Sequence, residues 1–294
     1  MRFRLTGAAL SAALLASAAF PVAAEPVFNR IAVFSVAENL PADMDSATET
    51  SAEIIAASED GNTLIYSDSP LGALGFVDIT DMKAPAALGI TKLDGEPTSV
   101  AVAGPKALVG VNTSESYTSP SGFLGVVDIA SRTLESQCDL GGQPDSVAVS
   151  PDRSIVAIAI ENERDEELND GEIPQMPAGD LVIISLKDGV ADCGTIKHVA
   201  MTGFSEMVAP TDPEPEFVDI NDDNEIVVTL QENNGIAIID GNTGEVKNHF
   251  SAGSVDISGV DIEKDGKLDF TGSLSGIARE PDTVKWLDND RFAI

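Results

Sequence analysis

The chain has 294 residues, of which 43% are hydrophobic, and its formal net charge is −32 at pH 7. This length and apolar content favour a globular chain with a packed core over a disordered one. The acidic excess repels nucleic acid and anionic lipid and attracts cations, so we expect no nucleic-acid partner. The charge is explained either by solubility in a salty medium or by calcium binding to part of it.

Residues 1–24 have the pattern of a secretory signal peptide. Arg2 and Arg4 form the charged start, an apolar run extends from Leu5 to Phe20, and Val22-Ala23-Ala24 matches a cleavage site. Removing this segment would leave a net charge of −34. We therefore expect an exported protein that is periplasmic, extracellular or on the surface of a bacterium. No later stretch is long and apolar enough to cross a membrane, so we expect no span after cleavage.

Residues 25–50 are assigned as an N-terminal strand and a polar linker. The strand is predicted from Phe28 to Val36, where apolar residues dominate. In propellers, a terminal strand often completes the last blade.

One phrase recurs along the rest of the chain. It runs from Glu96 to Val102 (EPTSVAV) and first returns 47 residues later, as QPDSVAV from Gln143. Further copies are EPEFVDI from Glu214 and EPDTV from Glu280, with a looser copy, SAEII, from Ser51. Each repeat holds short runs rich in Val and Ile between Gly, Pro, Asn and Asp, which predict four strands. A period of this length built from strands is typical of a β-propeller.

The predicted fold class is therefore all-β. It is a β-propeller of four-stranded antiparallel blades, with about four and a half blades and an incomplete ring. The blades are assigned to residues 51–94, 95–141, 142–212, 213–278 and, in part, 279–294. Because the sequence stops inside the second strand of the fifth repeat, we expect a longer protein whose remaining chain is the partner that completes the ring.

Cys138 and Cys193 are the only cysteines. Export would place them where a disulfide can form, and they occupy nearly equivalent points of successive repeats. Equivalent outer strands of neighbouring blades can also be too far apart for a bridge, so both outcomes stay open.

The repeated phrase and the loop between the second and third strands should lie on the same face, because loops alternate between faces in an antiparallel blade. Carboxylates from both would then surround the mouth of the central channel. Oxygen ligands in this number suit Ca²⁺, which could in turn hold an anionic small molecule. The alternative is that these acids only cap backbone N–H groups in turns. The candidate calcium ligands are Glu96, Glu161, Glu214, Glu232 and Glu280.

A second candidate lies between the fourth and fifth repeats. Its acids occupy the first, third, fifth and ninth positions of a calcium-loop pattern, with Gly266 at the sixth. The twelfth position is Gly272, where an EF-hand has glutamate, and no helix is predicted beside it. The segment is either an acidic turn or a calcium site. The candidate ligands are Asp261, Glu263, Asp265 and Asp269.

No catalytic constellation is recognisable. The segment from Gly272 to Gly276 (GSLSG) has leucine where a nucleophile elbow has serine. His198 and His249 are the only histidines and fall in predicted outer strands, which disfavours a triad or a zinc site. We therefore assign no catalytic residue.

Three segments stand out, namely IAIENERDE from Ile158, QENNGIAIID from Gln231 and REPDTVKW from Arg279. They resemble the N-terminal propeller of secreted bacterial proteins with esterase-like activity of the phytase family, often labelled alkaline phosphatase. That family is similar to choice-of-anchor and YVTN-type propellers. The resemblance implies an exported phosphoesterase or esterase whose catalysis, if any, belongs to a later domain, and the acidic face adds the expectation that the propeller binds calcium. The alternative is a non-catalytic periplasmic or cell-surface scaffold.

Overall fold

The computed structural model describes residues 29–165 and 167–294, and it divides the chain into two units, residues 1–31 and 32–294. Of the first unit, only residues 29–31 are described, and they form no regular secondary structure. The predicted signal peptide, residues 1–24, lies outside the described residues.

The second unit is built from antiparallel sheets whose strands follow one another in the chain. The first sheet contains β1 (Ile55–Ala57), β2 (Thr63–Asp68), β3 (Ala73–Asp78) and β4 (Ala86–Lys92). The second sheet contains β5 (Glu96–Ala103), β6 (Lys106–Asn112), β7 (Gly122–Asp128) and β8 (Thr133–Asp139).

The next two sheets repeat this arrangement with one variation, which is that the outer strand of the third sheet is split in two. The third sheet contains β9 (Pro144–Val149), β10 (Ile155–Ile160), β11 (Asp180–Lys187), β12 (Val190–Ala191) and β13 (Lys197–Ala200). The fourth sheet contains β14 (Pro215–Ile220), β15 (Glu225–Leu230), β16 (Gly235–Asp240) and β17 (Val246–Ser251). Short 3-10 helices occupy Val36–Asn39, Leu168–Gly171 and Cys193–Thr195.

Two hairpins follow the four sheets. The first pairs β18 (Ser254–Val260) with β19 (Gly272–Ala278), and the second pairs β20 (Lys285–Asp288) with β21 (Arg291–Ala293). From the sequence, we assigned residues 253–278 to the end of the fourth blade. Instead, β18 and β19 form a separate two-stranded sheet. Apart from this hairpin, the prediction of an all-β fold with four-stranded antiparallel blades and an incomplete ring is confirmed.

The hydrophobic core lies in layers between successive sheets. Alternate residues along a strand point to opposite neighbours, as the strand period of two requires. In β10, Ile158 packs with Leu124 of the second sheet, whereas Ala157 belongs to the cluster that contains Val228 of the fourth. The strands are therefore apolar on both faces, which is why they read as continuous Val and Ile runs. The final hairpin packs through Trp286 and Phe292 against the fourth sheet.

The strand predicted from Phe28 to Val36 is wrong for its described part. Residues 29–35 have no strand, and a 3-10 helix begins at Val36. The helix ends at Asn39, whose side-chain amide donates to Phe76 O (3.0 Å) and accepts from Gly89 N (2.9 Å). A bulge between β3 and β4 occurs at this point. Asn39 thus supplies the hydrogen bonds that the bulge removes from the ladder.

The disulfide left open by the sequence is formed between Cys138 and Cys193, whose Cα atoms are 5.3 Å apart. Cys138 is in β8, and Cys193 is in the 3-10 helix that interrupts the outer strand of the third sheet. This interruption brings two neighbouring sheets within bridging distance, which a regular outer strand was not expected to do.

Candidate functional site

The strand registers place the repeated phrase and the loop after the second strand at one end of each sheet. Glu96 lies opposite Asn112, Pro144 lies opposite Ile160, and Pro215 lies opposite Leu230. The predicted convergence of these two segments is therefore confirmed in the second, third and fourth sheets.

Two asparagines hold this convergence together. Asn162 Oδ1 accepts a hydrogen bond from Gln143 N (2.9 Å), and Asn233 Oδ1 accepts from Glu214 N (2.8 Å). Each asparagine follows the end of a second strand by two or three residues, and each donor precedes the proline of a repeated phrase. In both repeats, the residue before the proline is therefore bound by the neighbouring loop.

Carboxylates from these segments form a group that we call the acidic rim. It draws on three elements: the start of β9 and β14, the loops after β10 and β15, and the segment before β20. Glu214 is buried, whereas Asp145, Glu161 and Glu216 are partly buried and Glu163, Glu232 and Asp282 are exposed. The acidic rim consists of Asp145, Glu161, Glu163, Glu214, Glu216, Glu232 and Asp282.

Burial and neighbouring charges raise the pKa of several rim carboxylates. Burial, together with the charges of Asp145 and Glu163, raises the pKa of Glu161 to about 9. Burial and the charges of Glu232 and Asp145 raise the pKa of Glu216 to about 8. Asp145 is affected in the same way, and its pKa rises to about 7. The rim therefore carries protons at neutral pH, and a cation bound there would displace them.

Arg164 is the cation that the rim already contains. Its guanidinium lies 2.5 Å from Glu214 Oε2 and 3.4 Å from Asp212 Oδ2, and its backbone N–H donates to Glu214 Oε1 (2.7 Å). Burial raises the pKa of Glu214 to about 7 even though Arg164 opposes this shift. The side chain of Arg164 is 15% exposed, so the ion pairs are largely shielded from water.

Further polar contacts fix the loop of residues 161–178 over the fourth sheet. The backbone N–H of Gln175 donates to Asp212 Oδ2 (2.9 Å), and its side chain exchanges hydrogen bonds with the backbone of Asp165. The following Gly179 lies so close to Ile160 O and Pro215 that a side chain would collide with both. Sequence reasoning missed Arg164, Asp212 and Gln175. The signal was the one arginine within an otherwise acidic loop.

The predicted ligands fall into three groups. Glu161, Glu214 and Glu232 belong to the acidic rim, and the charge of Glu280 acts on Glu232. Glu96 is exposed at the start of β5 and is not among the charges that act on Glu161 or Glu216.

The third group forms the loop between β18 and β19, apart from the rim. Asp265 accepts from Lys267 N (2.9 Å) and pairs with Lys267 Nζ (3.0 Å), and Asp261 accepts from Glu263 N (3.2 Å). Asp269 is exposed in the same loop. Within residues 29–165 and 167–294, no three His, Cys, Asp or Glu side chains are arranged so that they could hold a metal ion.

Both histidines are in outer strands, as predicted. His198 Nδ1 lies 2.7 Å from Asp180 Oδ2, and His249 contacts Glu206 and stacks on Phe204 at 4.2 Å between ring centroids. His198 lies in β13 and His249 in β17, and each imidazole is paired with an acidic side chain.

The sheets and the rim define an incomplete propeller with a concentrated acidic face. Residues 53–291 match the choice-of-anchor I domain, so the chain belongs to the choice-of-anchor I family. Membership indicates a surface-associated binding propeller on an exported or cell-surface protein. The match confirms the choice-of-anchor part of the resemblance and does not extend to the phytase-like part. No helix in the described part of the chain has the length and hydropathy of a membrane span.

The similar solved structures have low sequence identity to this chain. A functionally unknown protein from Desulfotomaculum acetoxidans DSM 771 is similar with a TM-score of 0.50 and 13% identity, over 77% of this chain and 70% of that chain. Hydrazine synthase from Kuenenia stuttgartiensis gives 0.41 and 12%, over 79% and 76%. A chain of a nidogen/laminin complex gives 0.46 and 14%, over 68% and 64%. No curated protein sequence matches significantly.

Proposed function

We propose that the chain is a non-catalytic binding propeller, exported to the bacterial periplasm or cell surface, whose acidic rim binds a cation. The observation that carries the proposal is the raised pKa of Asp145, Glu161 and Glu216, caused by burial and by neighbouring charges. Arg164 pairs with Asp212 and Glu214, and within residues 29–165 and 167–294 no basic side chain pairs with the other three.

The cation that we propose is Ca²⁺, because carboxylate oxygens are its preferred ligands and the rim is partly open to solvent. The rim side chains would have to draw closer around the ion. An anionic small molecule could then occupy a coordination position of the ion that the protein leaves open.

Calorimetric titration with CaCl₂ at pH 8.5 and pH 6 tests this proposal. We expect binding at pH 8.5 that releases protons and weakens at least about tenfold at pH 6, because protons compete for the same carboxylates. Glu161→Gln combined with Glu216→Gln should reduce the affinity by a similar factor. Asp265→Asn in the β18–β19 loop is the matched control and should bind as the wild type does.

Two results would overturn the proposal. The first is no calcium binding at pH 8.5, or binding that the rim variant leaves unchanged. The second is enzymatic turnover, since the resemblance to phytase-like proteins implies phosphoester or ester hydrolysis. Release of phosphate or nitrophenol from nitrophenyl esters by the purified chain would replace the non-catalytic reading.

A further inference from the structure

The hairpin of β18 and β19 with its connecting loop, residues 254–278, stands apart from the four-stranded sheets, and we call it the hairpin arm. Each of its strands pairs only with the other in the described part of the chain. None of its side chains belongs to the hydrophobic clusters between the sheets. The apolar residues of the arm therefore lie outside the hydrophobic core of the propeller.

One face of the hairpin arm is apolar. Val255 lies opposite Ile277, and Ile257 lies opposite Leu274, so that the four side chains share a face. Each of them is between 36% and 40% exposed. The loop also exposes Leu268 (84%) and Phe270 (63%). The four strand residues form a contiguous apolar face.

A two-stranded hairpin with an uncovered apolar face is marginally stable in water and gains stability when a helix or further strands cover it. Contiguous apolar patches of this kind mark interaction sites in soluble proteins. The polar side of the arm is already satisfied, because Asp256 Oδ1 accepts from Gly276 N (2.8 Å) and Ser275 Oγ (2.5 Å). The apolar face is the side that a partner would cover.

The acidic charge of the hairpin arm favours a partner with basic residues. The arm contains two lysines, Lys264 and Lys267, and five acidic residues. A second copy would bring the same acidic arm on a chain with a net charge of −32, and an anionic lipid surface would also be repelled. A partner with basic residues beside an apolar stripe is complementary to the arm. The acidic residues of the arm are Asp256, Asp261, Glu263, Asp265 and Asp269.

Dimensions favour a helix as the covering element. Strands of seven residues are about 23 Å long, and a helix of 15 residues is about 22 Å long. The apolar stripe of an amphipathic helix is wide enough to cover two strands about 5 Å apart. We propose that the apolar face of the hairpin arm binds an amphipathic helix with a basic polar side, supplied by a partner protein. This proposal does not depend on the acidic rim.

The test uses a fluorescent synthetic 15-residue peptide of leucine and lysine, patterned as an amphipathic helix, and a leucine–glutamate peptide with the same apolar pattern. Fluorescence anisotropy should show that the full chain binds the lysine peptide and not the glutamate peptide. Ile257→Ser with Leu274→Ser should weaken binding at least about tenfold, because two apolar anchors are lost. Met82→Ser, at a residue that is 63% exposed outside the arm, is the matched control and should change nothing.

A second variant protects the test against misfolding of the arm. Glu263→Lys with Asp269→Lys keeps the apolar face and should weaken binding several-fold while reducing its dependence on salt. Glu161→Gln with Glu216→Gln should leave peptide binding unchanged, so that failure here is distinguishable from failure of the rim proposal.

The proposal is overturned if the arm variants bind the lysine peptide as the wild type does, if the rim variant abolishes binding, or if the glutamate peptide binds equally well. A wild-type dimer in sedimentation that becomes monomeric in Ile257→Ser with Leu274→Ser would show that a second copy is the occupant instead.

Discussion

Two acidic segments of this chain have similar composition and different surroundings. In the loop after β10, Glu161 is crowded by other carboxylates and Arg164 is held between two buried acids. In the loop between β18 and β19, Asp265 pairs with Lys267 two residues away and the side chains face water. The second segment has the more recognisable calcium-loop spacing, yet the first has the perturbed chemistry. The pKa of a carboxylate therefore depends on the charges that the fold places near it.

Replacing Arg164 tests whether the buried ion pairs of the first segment contribute more to stability than the exposed pair of the second. Arg164→Met leaves Asp212 and Glu214 buried without their cation, which should destabilise the chain by about 3–5 kcal/mol. Denaturant unfolding at pH 7.5 measures the change. Lys267→Met, which removes the matching cation from the exposed loop, should leave the unfolding midpoint unchanged. A stability loss below about 1 kcal/mol for Arg164→Met would mean that the rim does not depend on this ion pair.

Asn233 tests the backbone side of the same comparison. Its side chain is buried and bonds to Glu214 N (2.8 Å), Asp212 O (3.0 Å) and Val208 O (3.0 Å). Asn233→Ala removes the acceptor of Glu214 N and one donor to each of the two carbonyls, and it should cost about 2–4 kcal/mol in the free energy of unfolding. Asn242→Ala, at an exposed turn, is the control and should have little effect. Equal stability of the two variants would contradict the bracing role.

The pH dependence of stability tests the raised pKa values of the rim carboxylates. Because the folded rim holds protons that the unfolded chain has lost, stability should fall as the pH rises from about 4.5 to about 9. Glu161→Gln removes one of these groups. It should match the wild type near pH 4.5 and exceed it by about 1–3 kcal/mol at pH 9 in the presence of a chelator.

Thermal unfolding across this pH range checks the prediction, and Glu245→Gln, at an exposed residue just before β17, should follow the wild-type curve. A wild-type stability that rises between pH 6 and pH 9 would show that the rim carboxylates are ionised and paired.

Much of the fold was predictable because it rests on local patterns. The repeated phrase marks the start of inner strands, and Val and Ile runs mark the buried strands, so the four-stranded antiparallel sheets were predictable. The alternation of loops also placed Glu161 and Glu214 at one end. The hairpin arm was missed because its apolar residues, such as Ile257 and Leu274, are separated by serines and glycines that resemble loop sequence.

The ion pairs of Arg164 could not be predicted for a different reason. Asp212 lies 48 residues away in the chain, and its meeting with Arg164 depends on how a long loop folds over the next sheet. Asn39 is a similar case, because it forms hydrogen bonds at a bulge between β3 and β4 that no sequence pattern predicted. Interactions of this kind depend on tertiary packing and not on spacing.

The smallest expected effect concerns the loop between β18 and β19. Asp261→Asn, Asp265→Asn and Asp269→Asn together remove three charges from side chains whose contacts within the loop are local and solvent-accessible. We expect no change in the thermal unfolding midpoint, with or without calcium, because exposed charge pairs contribute little to stability. Scanning calorimetry at 1 mM CaCl₂ and in chelator, at a total ionic strength of about 0.15 M, makes this comparison under screened conditions. A calcium-dependent rise in the wild-type midpoint that the triple variant loses would move the cation site from the rim to this loop, and the spacing of the motif would then outweigh the crowding of the rim.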